Sequence, residues 1–515
     1  VRLLYALAVS IHLPILRRLL THPRRVAVVD DRRSYSGLEL VVGALHVARE
    51  IHRVSRAPHV GIMLPTSGAF PIAALAVWML GRTVVPLNYL LKPEELEFVL
   101  KDCETDCVVT AQAMLDFLGD GARVLHPTAT TPTPGTGSGG VRVIRLEDVN
   151  FKGLPPLRWP RGAADDDLGV LLYTSGTSGK PKGVMLTHGN IRSNVLQVLD
   201  HVAISSKDVV LGVLPQFHSF GLTVLTIMPL SIGAKVVYTA KFAPGKLVKL
   251  MREHRPSVFI AIPSMYNAML HAKDASREDF ASLRYVVSGG EPLPAAVQDA
   301  FFDRFGVRIN EGYGLTETSP VTNWCRPEEY RRGSVGKPLG SGPIGVRERI
   351  VSIETGQDLP PGQEGEVRIS GPQVMKGYFK REEESRAIFD DRGWLRTGDI
   401  GRFDADGHLF ITGRLKEMLI VGGENVFPRE IEEVLNAHPS IKESGVVGRK
   451  DPMRGEIPVA FVELKEGAAF DEKALLKWCR ERLAGYKVPD EIRVLEALPR
   501  NPTGKVLRRE LKALL

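Results

Sequence analysis

The feature that most constrains the fold is a loop of small residues at 173–183, which reads YTSGTSGKPKG and follows the apolar run LGVLLYT. Such an apolar run predicts a buried strand. Small residues let the backbone approach a ligand closely, so that N–H groups and hydroxyls can surround phosphate oxygens, and two lysines add positive charge. We therefore predict a phosphate-binding loop, with a flexible turn as the alternative. Its predicted contacts are Thr174, Ser175, Gly176, Thr177, Ser178, Gly179, Lys180 and Lys182.

Other nucleotide and hydrolase motifs do not match the sequence. The loop is not a Walker A motif, because Thr174 stands where that motif needs glycine and Pro181 replaces its Ser or Thr. Residues 340–345 read GSGPIG, but neither a strand before them nor a helix after them supports a dinucleotide site. The chain also lacks G-x-S-x-G, so a serine hydrolase of the elbow type is not expected.

The order of apolar runs predicts an α/β fold with a mainly parallel sheet. Strand-like and helix-like runs alternate over residues 60–87 and again over 206–310. Residues 333–412 are richer in glycine and short strands, and a compact α+β pattern begins at about residue 417. We therefore predict a large N-terminal domain made of two α/β subdomains and a β-rich subdomain, followed by a small α+β C-terminal domain.

Charge and cysteine content exclude other classes of protein. The 515 residues include 67 Lys and Arg against 60 Asp and Glu, a formal charge of +7. This excess forms no basic stripe, so we expect small anionic ligands and no nucleic-acid partner. The four cysteines complete no zinc-ligand pattern, which predicts free thiols in a reducing, cytoplasmic compartment.

The N-terminal segment is apolar but does not read as a spanning helix. Residues 3–16 contain His12 and Pro14, whereas a transmembrane helix needs about 20 apolar residues. The segment also lacks the basic region and cleavage site of a secretory signal. We predict an amphipathic helix that either packs on the protein's own core or lies on a membrane surface through residues 1–20.

A second block, EGYGLTETSP, occupies residues 311–320. Glycines flank Tyr313, whose aromatic face suits stacking on a purine. Glu317 follows shortly after, and a carboxylate beside a phosphate loop is a natural Mg²⁺ ligand because hard oxygen ligands suit that ion. A solvated surface carboxylate is the alternative for Glu317.

Taken together, the blocks resemble the adenylate-forming superfamily, which includes acyl-CoA synthetases, luciferases and non-ribosomal peptide adenylation domains. The resemblance is greatest to fatty acid–CoA ligases, covers essentially the whole chain, and preserves the order of the family's blocks. Those blocks are the loop at 173–184, PQFHSFG at 215–221, SGGEPL at 288–293, YGLTE at 313–317, TGD at 397–399, GRLKEMLIVGGENVFPREIE at 413–432 and NPTGK at 501–505.

The resemblance implies a nucleotide site with a role for each matched residue. Asp399 would hold the ribose hydroxyls, and Arg414 would contact the ribose or a phosphate. Thr316 would bind the α-phosphate, Glu317 the Mg²⁺, and Lys505 the carboxylate and α-phosphate oxygens. A lysine there would stabilise the charge that builds when a carboxylate attacks phosphorus. The residues expected around the adenine are Gly289, Gly290, Glu291, Tyr313 and Gly314.

The resemblance also implies a mobile C-terminal domain. Residues 1–413 would carry the acid and ATP sites, 414–416 the hinge with Lys416 as its pivot, and 417–515 the domain that bears Lys505. After adenylation this domain would rotate and present Gly422 and Gly423 to the pantetheine of coenzyme A, where a side chain would block passage.

The acid pocket is expected around His218, flanked by Phe217 and Phe220. Residues 214–223 contain no Asp or Glu that could pair with a substrate ammonium, which favours an acid with a neutral tail. The neighbouring FGLTVLTIMPL suits a fatty acyl chain, and it suits ordinary core packing equally well. We therefore expect a medium- or long-chain fatty acid, with an aryl acid as the next candidate.

The resulting hypothesis is an enzyme that uses ATP and Mg²⁺ to form an acyl-adenylate, releases pyrophosphate and transfers the acyl group to coenzyme A. Three alternatives stay open: transfer to a carrier-protein thiol, an aryl-CoA ligase, and a catalytically dead nucleotide-binding module. Retention of Lys505, Glu317, Asp399 and the small-residue loop argues against the last of these.

Overall fold

A computed structural model of the chain describes residues 10–125, 141–155, 160–174, 180–500 and 506–515. Some of the predicted site residues therefore lie outside the described residues, and their roles stay predictions. These residues are Ser175, Gly176, Thr177, Ser178, Gly179 and Lys505.

The described strands and helices follow one another in the alternating order that the sequence predicts. The strands are β1 Val26–Val29, β2 Ser34–Ser36, β3 His59–Met63, β4 Thr83–Pro86, β5 Cys107–Thr110, β6 Arg142–Arg145, β7 Leu168–Thr174, β8 Lys182–Thr187, β9 Val209–Gly212, β10 Lys235–Tyr238, β11 Val258–Ala261, β12 Tyr285–Ser288, β13 Asn310–Gly314, β14 Val321–Trp324, β15 Lys337–Pro338, β16 Arg347–Val351, β17 Gly365–Ser370, β18 Gly377–Tyr378, β19 Leu395–Phe403, β20 Leu409–Arg414, β21 Leu419–Val421, β22 Glu424–Val426, β23 Ile441–Asp451, β24 Gly455–Leu464 and β25 Glu491–Leu495. The α-helices are α1 His12–Thr21, α2 Gly37–Val54, α3 Ala69–Met79, α4 Pro93–Asp102, α5 Gln112–Leu118, α6 His188–His201, α7 Met228–Ile232, α8 Pro244–His254, α9 Pro263–Met269, α10 Arg277–Phe280, α11 Ala295–Phe305, α12 Glu382–Ala387, α13 Pro428–Asn436, α14 Glu472–Arg480 and α15 Arg508–Lys512.

Two large mixed sheets build the N-terminal part of the molecule. The first has the strand order β15-β14-β13-β12-β11-β9-β10-β1-β2, and the second has the order β18-β8-β7-β4-β3-β5-β6. Their central strands pair in parallel, whereas β2, β8, β14, β15 and β18 pair antiparallel with their neighbours. Parallel strands need crossover helices, which is why strands and helices alternate along the chain. The predicted α/β fold is confirmed.

The β-rich region and the C-terminal part form separate sheets. Strands β16, β17, β19 and β20 make an antiparallel sheet in that order, within the glycine-rich stretch identified in the sequence. The last sheet has the order β22-β21-β24-β23, with β25 beside β24. It packs on α13 and α14 around a core of its own, built on residues such as Ile431, Phe461 and Leu475.

The N-terminal helix α1 packs on the core of the protein. Ile15, Leu16 and Leu19 are buried against the adjacent helices, whereas Leu13 and Leu20 face outward. The core-packing interpretation therefore holds for the described part of this segment, and a membrane contact through residues 1–20 stays a prediction. In the ranges that the structure describes, no helix combines the length and apolar character needed to cross a membrane.

The aliphatic stretch after the aromatic-histidine block is also part of the core. Residues 220–227 form a π-helix that continues directly into α7. Leu222, Leu225 and Ile227 are fully buried, and the stretch packs against β9, α6 and α7. The sequence of this stretch suits a fatty acyl chain and core packing equally well, and its burial favours the core-packing alternative.

Candidate active site

A cleft of about 680 Å³ lies between the N-terminal sheets and the C-terminal part of the chain. Its N-terminal wall contains six of the residues predicted to bind a nucleotide: Gly290, Glu291, Tyr313, Gly314, Asp399 and Arg414. Its opposite wall comes from α13 and from the segment before α15, including Arg429, Val506 and Arg508. The structure thus brings together residues that lie in four separate sequence blocks.

Asp399 is contacted by two other residues of this cleft, Arg414 and Tyr313. It lies opposite Arg414 in the β19–β20 register, and Arg414 Nε is 2.9 Å from Asp399 Oδ1. The Tyr313 hydroxyl donates to Asp399 Oδ2 at 2.7 Å. The neighbouring carboxylate raises the pKa of Arg414, and burial together with Asp399 raises the pKa of Tyr313. Tyr313 had been predicted only as an aromatic face, and no local pattern indicates its hydrogen bond to Asp399.

Close approach requires one glycine in the predicted adenine region and crowds a second. A Cβ atom on Gly314 would lie 1.9 Å from the Pro320 carbonyl oxygen, so only glycine fits there. A Cβ atom on Gly289 would lie 3.0 Å from Cε1 of Phe220. Phe220 was predicted in the acid pocket and Gly289 beside the adenine, so the two predicted sites adjoin each other.

The aromatic-histidine block contacts the predicted α-phosphate residue. Ser219 Oγ and Thr316 Oγ1 are 3.3 Å apart, and both side chains are buried. Ser219 was not singled out from the sequence, although it directly follows His218. Phe217 packs edge-on against Tyr89, with ring centroids 4.9 Å apart.

His218 presents one donor to the open side of this region. Its ring is accessible but lies deep in the protein, and burial lowers its pKa. The Phe220 backbone N–H donates to His218 Nδ1 at 3.3 Å. Because a neutral imidazole carries one proton, Nε2 is then the protonated nitrogen. A neutral donor here suits an uncharged or anionic substrate group better than a cationic one.

Glu317 and Lys182 both contact Tyr378, a residue that no sequence pattern had indicated. The Tyr378 hydroxyl donates to Glu317 Oε1 at 2.9 Å. Lys182 Nζ lies 5.3 Å from the centre of the Tyr378 ring and forms an ion pair with Glu384. Lys180, by contrast, is exposed and lies over the Phe98 ring. Thr174 and Lys182 are register partners in β7 and β8, so the end of β7 lies beside the start of β8.

Glu317 offers the type of ligand that Mg²⁺ prefers. Mg²⁺ usually retains several waters and binds one or two protein carboxylates together with substrate phosphates. Within the described ranges, no group of three or more His, Cys, Asp or Glu residues forms a metal cage. A single carboxylate such as Glu317, next to the residue predicted to bind the α-phosphate, fits a magnesium ion that arrives with a nucleotide.

The predicted hinge lies at the edge of the cleft. Residues 415–417 form a short 3-10 turn, and burial together with Arg414 lowers the pKa of Lys416. Arg508 joins this turn to α13, with its guanidinium 2.8 Å from Glu417 and 2.6 Å from Glu432. Arg508 was not identified from the sequence, although it follows Lys505 by three positions.

Gly422 and Gly423 form the turn between β21 and β22. Their φ angles are +62° and +89°, a backbone conformation that favours glycine, and both residues are exposed with open space at the Cβ positions. Turn geometry is therefore a reason for glycine that is independent of any tunnel. The tunnel assignment stays a prediction.

A buried carboxyl beneath Tyr313 gives a prediction for stability. Glu348 accepts a hydrogen bond from Asn323 at 3.0 Å, and burial raises its pKa from 4.5 to about 8. The folded state therefore retains a proton that the unfolded chain releases, and this stabilisation is present below pH 4.5 and lost as the pH rises through 8. Glu348→Gln mimics the protonated form. Its stability relative to wild type should rise over that window, by about 1.4 kcal/mol per pKa unit at most.

Urea unfolding of the two proteins at pH 5, 7 and 9 measures this difference. Glu354→Gln removes a carboxylate from an exposed turn and serves as the control. Parallel pH profiles for wild type and Glu348→Gln would contradict the assignment of a neutral buried Glu348.

Comparison with known proteins adds to this geometry. Residues 16–379 match the family model described as AMP-binding enzyme, and residues 430–505 match that of the AMP-binding enzyme C-terminal domain. The chain is 33% identical to a long-chain-fatty-acid–CoA ligase of Bacillus subtilis (strain 168), over 95% of this chain and 91% of the relative. It is 32% identical to a feruloyl-CoA synthase of Amycolatopsis sp, over 96% and 97% of the two chains. ATP-bound MatB from Rhodopseudomonas palustris is 30% identical and superposes with a TM-score of 0.87, over 98% and 99%.

Proposed function

Because the chain belongs to the AMP-binding enzyme family, we propose that it converts a medium- or long-chain fatty acid to an acyl-adenylate and then to acyl-CoA. Membership makes it an ATP-dependent, AMP-forming acid–thiol ligase. The observation that carries the finer proposal is the cleft in which Tyr313 and Arg414 converge on Asp399, next to Thr316 and the neutral His218.

The nucleotide is assigned to the Asp399 side of the cleft. Asp399 accepts hydrogen bonds from the ribose hydroxyls, and Tyr313 holds the adenine together with the loop at 289–291. The two Asp399 oxygens accept hydrogen bonds from Tyr313 and Arg414, so these donors orient the carboxylate that would meet the ribose. Such preorganisation lowers the conformational cost of binding.

Adenylation requires positive charge at the α-phosphate. Attack by the acid carboxylate brings two anions together, and fixed donors stabilise the charge that develops at phosphorus. We assign this role to Thr316 and Lys505. Val506 lines the cleft, so the segment next to Lys505 reaches the nucleotide site, which supports the assignment.

Glu317 is the residue that would hold Mg²⁺. When bound, the ion neutralises phosphate charge and orients the pyrophosphate leaving group. The hydrogen bond from Tyr378 orients the Glu317 carboxylate, and the ammonium of Lys182 lies over the same ring.

The second half-reaction is assigned to a rotation of residues 417–515 about Lys416, relative to residues 1–413. The separate C-terminal core supports treating this part as a domain that can move as a unit. Rotation would withdraw Lys505 and bring Gly422 and Gly423 to the acyl-adenylate, so that the thiol of coenzyme A can enter.

The acid is a fatty acid on this proposal, with an aryl acid as the second candidate. The lack of acidic residues at 214–223 and the neutral His218 favour an uncharged tail. The aryl alternative is favoured by one contact, the Phe220 ring against Gly289, which places an aromatic face where the acid site adjoins the nucleotide site. We assign the enzyme to the cytoplasm because its four cysteines are buried free thiols.

A panel of acids tests the proposal. We expect kcat/KM for acid-dependent pyrophosphate release to rise about fourfold per added CH₂ until the pocket is filled, because each buried CH₂ contributes about 0.8 kcal/mol. Thioester should form with coenzyme A and not with a phosphopantetheinylated carrier protein. Preference for hydroxycinnamic acids would replace the fatty-acid assignment, and transfer to the carrier alone would replace coenzyme A as acceptor.

A further inference from the structure

Glu384 contacts the predicted phosphate site from a separate part of the chain. It lies on α12, and its carboxylate forms an ion pair with the Lys182 ammonium. The Lys182 side chain is 19% exposed and that of Glu384 is 41% exposed. Lys182 is predicted to bind phosphate groups through its positive charge. A carboxylate paired with it neutralises that charge, so the ion pair needs an explanation.

Backbone contacts hold Glu384 in this position. Strand β18, which precedes α12, pairs antiparallel with β8, the strand that begins at Lys182. The Phe379 N–H donates to the Gly183 carbonyl at 2.8 Å, and the Tyr378 N–H donates to Ser385 Oγ at 2.8 Å. The carboxylate is therefore delivered to Lys182 by paired strands and a short helix, rather than by a free loop.

The same segment also contacts the predicted Mg²⁺ ligand. Tyr378 donates to Glu317 and lies beneath the Lys182 ammonium, so the ion pair stands beside the place assigned to the triphosphate. An ion pair of this exposure contributes about 0.2–1 kcal/mol, which a highly charged phosphate can outcompete. The pair is thus weak enough to exchange when a phosphate arrives.

We infer that Glu384 is an exchangeable counter-ion: it holds the Lys182 ammonium when the site is empty, releases it to the phosphates of ATP, and takes it back as pyrophosphate leaves. The inference rests on the proposed phosphate role of Lys182. By competing for the ammonium, Glu384 weakens the binding of ATP and of pyrophosphate alike. Weaker retention of the product favours turnover, because product release limits many enzymes.

Glu384→Gln tests this inference while preserving the shape of the side chain. KM for ATP and the inhibition constant of pyrophosphate should both fall by about 2–5-fold, the range of a partly exposed ion pair, while KM for the acid stays unchanged. The effect should shrink at high ionic strength. A merely structural role for Glu384 would not shift ATP and pyrophosphate together in this direction.

Glu383→Gln is the matched control, since it removes the same charge from an exposed position on the same helix. It should leave both constants unchanged. In a Lys182→Met background, Glu384→Gln should have no further effect. A rise in KM for ATP with Glu384→Gln, or an equal change with Glu383→Gln, would overturn the inference.

Failure of the counter-ion inference can be distinguished from failure of the proposed ligase function. If Lys182→Met leaves KM for ATP unchanged while acid-dependent pyrophosphate release persists, the exchange is refuted and the ligase assignment stands. If wild-type enzyme releases no pyrophosphate with any acid, the proposed function itself fails.

Discussion

Lys505→Ala should lower acyl-adenylate formation by at least about 10²–10³-fold, the effect of removing one preorganised donor from a developing anion. Thioester formation from a supplied acyl-adenylate should be largely spared, because the bond between the acid carboxylate and the α-phosphate has already formed in that substrate. Pyrophosphate exchange measures the first half-reaction. Consumption of synthetic acyl-adenylate in the presence of coenzyme A measures the second.

Lys512→Ala serves as the control for charge near the C-terminus, because this exposed residue lies on α15, shortly after Lys505. It should leave both half-reactions near wild-type rates. Equal loss of the two half-reactions in Lys505→Ala would instead indicate a general structural role and remove the lysine from adenylation.

Gly422→Leu should impair thioester formation and spare adenylation, the reverse of the effect expected for Lys505→Ala. A leucine side chain would occupy the path assigned to pantetheine, so thioester formation should fall by about 10²-fold, the scale expected when reactants are displaced from a productive geometry. Adenylation should stay close to wild type, because Gly422 is exposed at a hairpin turn away from the cleft lining. The same two half-reaction assays separate these outcomes.

Backbone strain complicates the use of this glycine and can be controlled. Gly467 has a φ of +77°, is exposed and has open space at its Cβ position, so Gly467→Leu imposes comparable strain in the same C-terminal part of the chain. If Gly467→Leu reduces thioester formation as strongly as Gly422→Leu, strain explains both variants. Normal overall turnover of Gly422→Leu would remove the tunnel assignment.

Taken as a pair, the two variants test whether one small domain serves two reactions. Lys505 and Gly422 lie in the same C-terminal part, yet each is expected to affect a different half-reaction. The proposed rotation predicts such a separation, because each residue then faces the acyl-adenylate in a different position of that domain. The contact of Arg508 with Glu417 and Glu432 ties the segment after Lys505 to the hinge in the arrangement described here.

Local patterns in the sequence identified much of the site but not its contacts. The small-residue loop and the YGLTE block were recognisable because each is a short run with its own chemistry, whereas the TGD block was identified only through the resemblance to a family. Tyr378 and Glu384 carried no such signal, since a Gly-Tyr pair followed by acidic residues is common on protein surfaces. Their importance appears only once β18 pairs with β8.

The aliphatic stretch at 220–230 also shows that a local sequence pattern does not define its contacts. Its apolar composition fitted a ligand tunnel and a protein core equally well, because both environments exclude water. Only the burial of Leu222, Leu225 and Ile227 against β9 and the neighbouring helices distinguishes the two.

By itself, the sequence determined the α/β alternation, the order of the chemical blocks and the family, because periodicity and short motifs are properties of neighbouring residues. Only the tertiary structure decided that Tyr313 and Arg414 share Asp399, that Ser219 meets Thr316, and that Glu384 neutralises Lys182. Contacts of that kind depend on strand order and register between distant segments, and no local spacing encodes them.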